Sequence, residues 1–254
     1  MNYQVPGYLL PLVIGASVAT VAALLFGLHN ALKRARWPIK ERRRVVTGVA
    51  AVLVAWFLAT IWLVWIGFYR GALFRTPTIQ YGVLIPIIAG VVLFRASRTL
   101  RRIVEAVPQQ WIVSVQVYRA LGAIFLVLYA AGRMPGVFAW PAGVGDVIVG
   151  LLAPVVGIAY ARRPQSAAGL VRTWNLLGIT DLIVALTTGF LTSPSPLQMF
   201  AFDTPNVLIS AFPLAMIPVF LVPLSILLHL ASLKKLRSAQ HAQASPILAT
   251  SLSS

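Results

Sequence analysis

The segment VVTGVAAVLVAWFLATIWLVWIGFY, Val45 to Tyr69, runs for 25 residues without a charged side chain. Lys40, Arg42, Arg43 and Arg44 stand directly before it. Crossing the ~30 Å hydrocarbon layer of a bilayer takes roughly 20 apolar residues as a helix. A charge-free block of this length with a basic flank reads as a transmembrane helix. It is continuously apolar rather than alternating, so it does not read as a strand of a membrane barrel.

Working outward, six more such blocks are found. Tyr8 to Leu32 precedes the first one quoted. Thr78 to Phe94, Trp111 to Ala131, Gly136 to Ala161, Thr173 to Leu191 and Pro205 to Leu233 follow it. The expected fold is an all-α membrane protein, a polytopic bundle of about seven transmembrane helices. Residues 1–237 form its single domain, and 238–254 are expected to be a disordered cytoplasmic tail rich in Ser and Ala. Composition agrees: 59% of the 254 residues are hydrophobic and 10% charged, whereas soluble domains carry about 25% charged residues. With no cysteine, disulfides and thiolate metal sites are excluded.

The charge is lopsided, with 21 basic residues against 5 acidic. A soluble protein with this balance would suggest nucleic acid. Here the basic residues lie in short links between apolar blocks, so no nucleic acid partner is expected. Lys33, Arg34, Arg36, Lys40, Arg42, Arg43 and Arg44 follow the first block, and Arg95, Arg98, Arg101 and Arg102 the third. Arg162, Arg163 and Arg172 follow the fifth, and Lys234, Lys235 and Arg237 the last. The alternate links hold only Arg70, Arg75 and Arg133. Cytoplasmic loops carry the Lys/Arg excess. The expectation is therefore an N-terminus outside, a C-terminus in the cytoplasm, and a bacterial inner-membrane location. The expected partners are the bilayer and its anionic phospholipid heads at the basic links. The first block has its basic cluster after it, so it reads as a retained helix rather than a signal peptide. Trp62, Trp65, Tyr69, Trp111 and Trp140 sit near block ends, where aromatic rings favour the headgroup level.

Ionisable residues inside a span are costly and mark function by default. Arg119 lies about 13 Å into the fourth block at 1.5 Å per residue, and Asp181 at about the same depth in the sixth. An ion pair between them is expected, serving either helix register or a gate for a proton or an anionic substrate. Gln116, one turn before Arg119, and Asn175 extend the polar patch. Asp146, within WPAGVGD near the far surface, is read as the N-cap of a helix starting there. The alternative is a cation or proton site with Arg133 as partner. His29 and His229 read as charges at helix C-termini. Pro213, Pro218 and Pro223 predict a kinked last helix with freed carbonyls at Ile209, Leu214 and Val219. A faint echo aligns Tyr118–Val127 with Trp174–Ile183, as in transporters built from parallel repeats.

No lysine lies inside a span, which excludes a retinal Schiff base, and HExxH, Walker and GxSxG motifs are absent. No cofactor or metal is implied. The leading expectation is a small transporter or membrane sensor using the buried Arg/Asp pair. Alternatives are a membrane-embedded enzyme acting on a lipid, with Asp146 or Asp181 as base and Arg119 holding a headgroup, and a structural or accessory subunit. A spread of Asp146 and Asp181 over two depths argues against one compact enzyme site.

Overall fold

The computed structural model describes residues 4–70 and 78–251, with side chains to residue 239. Arg75 lies outside the described residues. The described chain is helical, and seven helices are long and apolar enough to cross a membrane. The chain is a multi-pass membrane protein.

The first three spans are α1 (Leu9–Arg34), α2 (Ile39–Trp65) and α3 (Ile79–Ala96). The fourth, Gln109–Ala130, is composite: α5 (Gln109–Ser114), a 3₁₀ stretch (Val115–Gly122) and α6 (Ala123–Ala130). Spans five and six are α7 (Gly136–Arg162) and α8 (Pro164–Thr192). The seventh opens with a π-helical turn, Ile217–Leu221, and continues as α9 (Val222–Ser251). Hydroxyls inside the spans return to their own helices: Ser17 to the Val13 carbonyl, Thr20 to Ala16 and Thr60 to Trp56, each at 2.8 Å. This satisfies them where lipid offers no partner.

Several boundaries move. The second span begins six residues earlier than expected and the sixth nine, because their basic or polar first turns are helical too. The seventh begins at Ile217 rather than Pro205, since Pro205 and Pro213 lie among turns and a 3₁₀ turn, Leu208–Ser210. Of the prolines expected to kink it, Pro218 stands in the π turn and Pro223 in the first turn of the α-helix that follows. The Leu214 carbonyl, expected to be free, accepts the Ile217 N–H at 3.0 Å. The third link holds a short amphipathic helix, α4 (Arg98–Ala106), whose Ser97 side chain caps the Leu100 N–H at 3.1 Å. Beyond residue 237, where a disordered tail was expected to begin, the backbone stays helical to Ser251.

The last span is the centre of the bundle. Ile217 to Ser225 are all buried, and Phe220 packs on Trp56 and Phe57 at ring distances of 4.7 and 5.2 Å.

The spans' basic ends gather on one face. Arg102 pairs with Glu41 at 3.1 Å and lies 4.5 Å over the Trp37 ring, and Lys235 donates to the Val104 carbonyl at 3.1 Å. At the opposite face Arg133 donates to the Gln4 carbonyl at 2.8 Å, which sets the N-terminal segment beside the α6–α7 turn. Trp62, Trp65 and Trp140 are exposed near span ends, and Trp111, at the start of the fourth span, is half-buried. Its indole lies against Gly27 of α1, where a Cβ would come within 1.7 Å of Nε1.

A glycine every seventh residue of α7 sets its contact with the fourth span. A Cβ at Gly143 would meet Leu126, one at Gly150 would lie 2.5 Å from the Ala120 backbone nitrogen, and one at Gly157 would crowd Ser114. Small residues at such an interface let backbones approach closely. This contact lays Asp146 against Gly122 and Arg119.

Candidate functional site

Near the middle of the bundle the guanidinium of Arg119 joins three helices. It projects from the 3₁₀ stretch and is 4% exposed. Nε donates to Asp146 Oδ1 of α7 at 2.8 Å, and Nη2 ion-pairs with Asp181 Oδ2 of α8. Nη1 donates to the Gly178 carbonyl of α8 at 3.2 Å and to His229 Nε2 of α9 at 3.0 Å. A planar fork with five donors suits several acceptors at once.

Hydrogen-bond directions follow from Arg119, which only donates. His229 Nε2 must accept, so its proton sits on Nδ1. That N–H donates to Asn175 Oδ1 at 2.9 Å. The Asn175 amide nitrogen then donates to the Val171 carbonyl at 2.7 Å and to Ser232 Oγ at 2.8 Å. Ser232 Oγ also accepts from Gln109 Nε2 at 2.7 Å. A directed chain thus runs from the charged centre toward the basic end. Trp174 covers His229 at a ring distance of 4.9 Å, held by its own bond to the Val149 carbonyl at 3.1 Å.

Glycines again make the room. A Cβ at Gly145 would lie 1.6 Å from Asp181 Oδ1, and one at Gly178 would lie 2.4 Å from the His229 ring and 3.0 Å from Arg119 Nη1.

The structure brings together Arg119, Asp181 and Asn175, as matched depth and polarity suggest, and adds two residues read otherwise. Asp146 is no N-cap: α7 starts ten residues earlier at Gly136, so the carboxylate is mid-helix and 6% exposed. His229 is no helix-end charge, being fully buried in the network. Arg133 stands apart at the far face. Gln116 is fully buried beside the site, and neither end of its amide has a hydrogen-bond partner. Because Asp146 and Asp181 share one guanidinium, the argument from two depths against a compact site falls. Among the described residues no three His, Asp or Glu groups are placed to hold a metal ion.

A cavity of about 370 Å³ opens from Asp146 toward the far end. Its walls are α3, α6, α7, α8 and the start of the last span, with Val83, Leu84, Phe125, Phe138 and Phe190 among its apolar surface. Gln80, Thr187 and Ser193 are its other polar lining. A void of about 20 Å³ on the other side of Asp146 touches Tyr118, Arg119 and Ser225. That is room for about one water. With both carboxylates ionised, the Arg119–Asp146–Asp181 group carries one net negative charge, which a proton or a cation would neutralise.

The profile of one protein family, Domain of unknown function (DUF8737), matches residues 76–237. No curated protein and no solved structure matches the chain. The matched segment contains every residue of the Arg119 network and of the cavity.

Proposed function

The chain belongs to the DUF8737 family, and from the site carried by that shared segment we propose that it is a small transporter whose working element is the Arg119 cluster. The observation that carries this reading is the position of Asp146. It is bonded to Arg119 on one side and opens on an apolar chamber on the other. Buried ionisable residues that line a cavity near the middle of a bundle mark pathways. Arg119 ties α7, α8 and α9 together, so a proton or ligand arriving at Asp146 would loosen bonds that hold three helices in place. The basic end faces the cytoplasm by the positive-inside rule, and the chamber opens toward the other compartment.

The chain has no cysteine, so single cysteines report access directly. Thr187→Cys lies in the chamber, and Ser232→Cys lies on the basic side of the cluster. A membrane-impermeant maleimide is applied to vesicles of each orientation, with thermal stability confirming the fold. Alternating access requires both positions to react, each from its own side. If Ser232→Cys stays inert from both sides, the cluster is a static plug and the transport reading fails.

A further inference from the structure

The chamber itself points to a ligand class, and this inference rests on the reading of Asp146 as the working carboxylate. A cavity of about 370 Å³ lies in the size range that takes drug-sized molecules, roughly 300–1,000 Å³. Its surface is overwhelmingly apolar, with a carboxylate at its inner end. Arg119 engages that carboxylate through Oδ1. Gln80, at the first turn of α3, is among the few other polar residues of the chamber lining. The guanidinium of Arg119 contacts only the small void behind Asp146, not the chamber. An arriving ligand therefore meets the negative side of a cluster with two carboxylates and one cation.

We propose that the chamber binds an amphiphilic organic cation, an apolar body with an ammonium-type head that pairs with the Asp146 carboxylate. An anion would face the carboxylate before reaching Arg119. A neutral apolar molecule would fill the walls but leave the negative charge of the cluster uncompensated. An ammonium pairs with the carboxylate and cancels the excess charge of the cluster.

Three probes share one body and differ in head: 3,3-diphenylpropylamine, 3,3-diphenylpropanol and 3,3-diphenylpropanoic acid. Each is titrated calorimetrically against the full chain in nanodiscs, with empty nanodiscs subtracted. The amine is expected to bind at least tenfold tighter than the alcohol, and the acid weakest. Asp146→Asn should bring the amine down to the level of the alcohol. Leu186→Trp, which fills the chamber away from the cluster, should weaken both. Equal affinity for amine and alcohol, tightest binding by the acid, or no amine binding up to millimolar concentration would overturn the proposal. The head-group comparison is made on the unaltered chain, so it decides the matter even if Asp146→Asn does not fold. Amine binding together with an inert Ser232→Cys would retain the ligand class and remove the transport reading.

Discussion

At the scale of the residue, Arg119 makes its neighbours affordable. Asp146 and Asp181 are two of only five acidic residues in the chain, and both are held by this one guanidinium. Arg119→Ala would leave two carboxylates facing an apolar bundle. Removing one partner of a buried pair costs about 3–5 kcal/mol, so a large fall in Tm of the detergent-extracted protein is expected. Adding Asp146→Asn and Asp181→Asn to Arg119→Ala should recover much of it. A single Arg119→Ala that melts like the unaltered chain would mean the cluster is open to water. His229 invites a finer comparison, since its role is to accept from Arg119 and donate to Asn175. Gln can do both and Phe neither. His229→Phe is expected to cost about 1–3 kcal/mol for the groups left unpaired, and His229→Gln clearly less. Equal losses would show that ring packing on Trp174, rather than hydrogen bonding, keeps His229 in place. Of this cluster, the Arg119–Asp181 match was legible as equal depth on two spans. Asp146 and His229 were misread because both were judged by distance from an expected helix end. Asp146 falls ten residues inside a helix that starts at Gly136, where the apolar block itself began, rather than capping a helix of its own.

At the scale of the element, the site depends on backbones that come unusually close. Gly145→Ala would drive a methyl into Asp181, and Gly150→Ala would drive one into the backbone of the 3₁₀ stretch. Neither obstacle is the loose end of a flexible side chain. Overpacking of this kind costs typically 1–3 kcal/mol, so both variants should melt markedly lower. Gly15→Ala and Gly48→Ala, whose added Cβ would meet nothing within 4 Å, should stay within about 0.5 kcal/mol of the unaltered chain, as surface substitutions usually do. If all four behave alike, the close approach of α7 is not what positions Asp146. The heptad run Gly136, Gly143, Gly150 and Gly157 was present in the sequence, but glycines report only that something comes near, not what. Of the departures from α-geometry, only the break at Pro218 was announced by its proline, and its form was not. A 3₁₀ stretch of eight residues beneath Arg119 and a π turn at Pro218 are uncommon, and such stretches often mark hinges or functional sites. They arise from how the fourth and last spans pack, which periodicity does not encode.

At the scale of the whole molecule, hydropathy made the seven spans readable because lipid forces every backbone group to be satisfied within its own helix. The pairing of basic links at one end was readable for a related reason, since each span reverses direction. The contacts of Arg102 with Glu41 and Trp37, and of Lys235 with α4, bring those links to one face, and Arg133 meets the N-terminal segment at the other. Which face is cytoplasmic is a matter of charge against the membrane, and it decides what the chamber serves. Single cysteines at exposed Ser166, on the basic face, and exposed Thr204, on the far face, separate the two orientations. An impermeant maleimide on intact cells should label Thr204→Cys and leave Ser166→Cys untouched until the membrane is permeabilised. With that outcome, Asp146 is approached from outside the cell, and the cationic ligand would be captured there. The reverse labelling would overturn the positive-inside assignment for this chain. It would also turn the chamber toward the cytoplasm, so that the same carboxylate would load from within and, on the transport reading proposed above, the ligand would be exported.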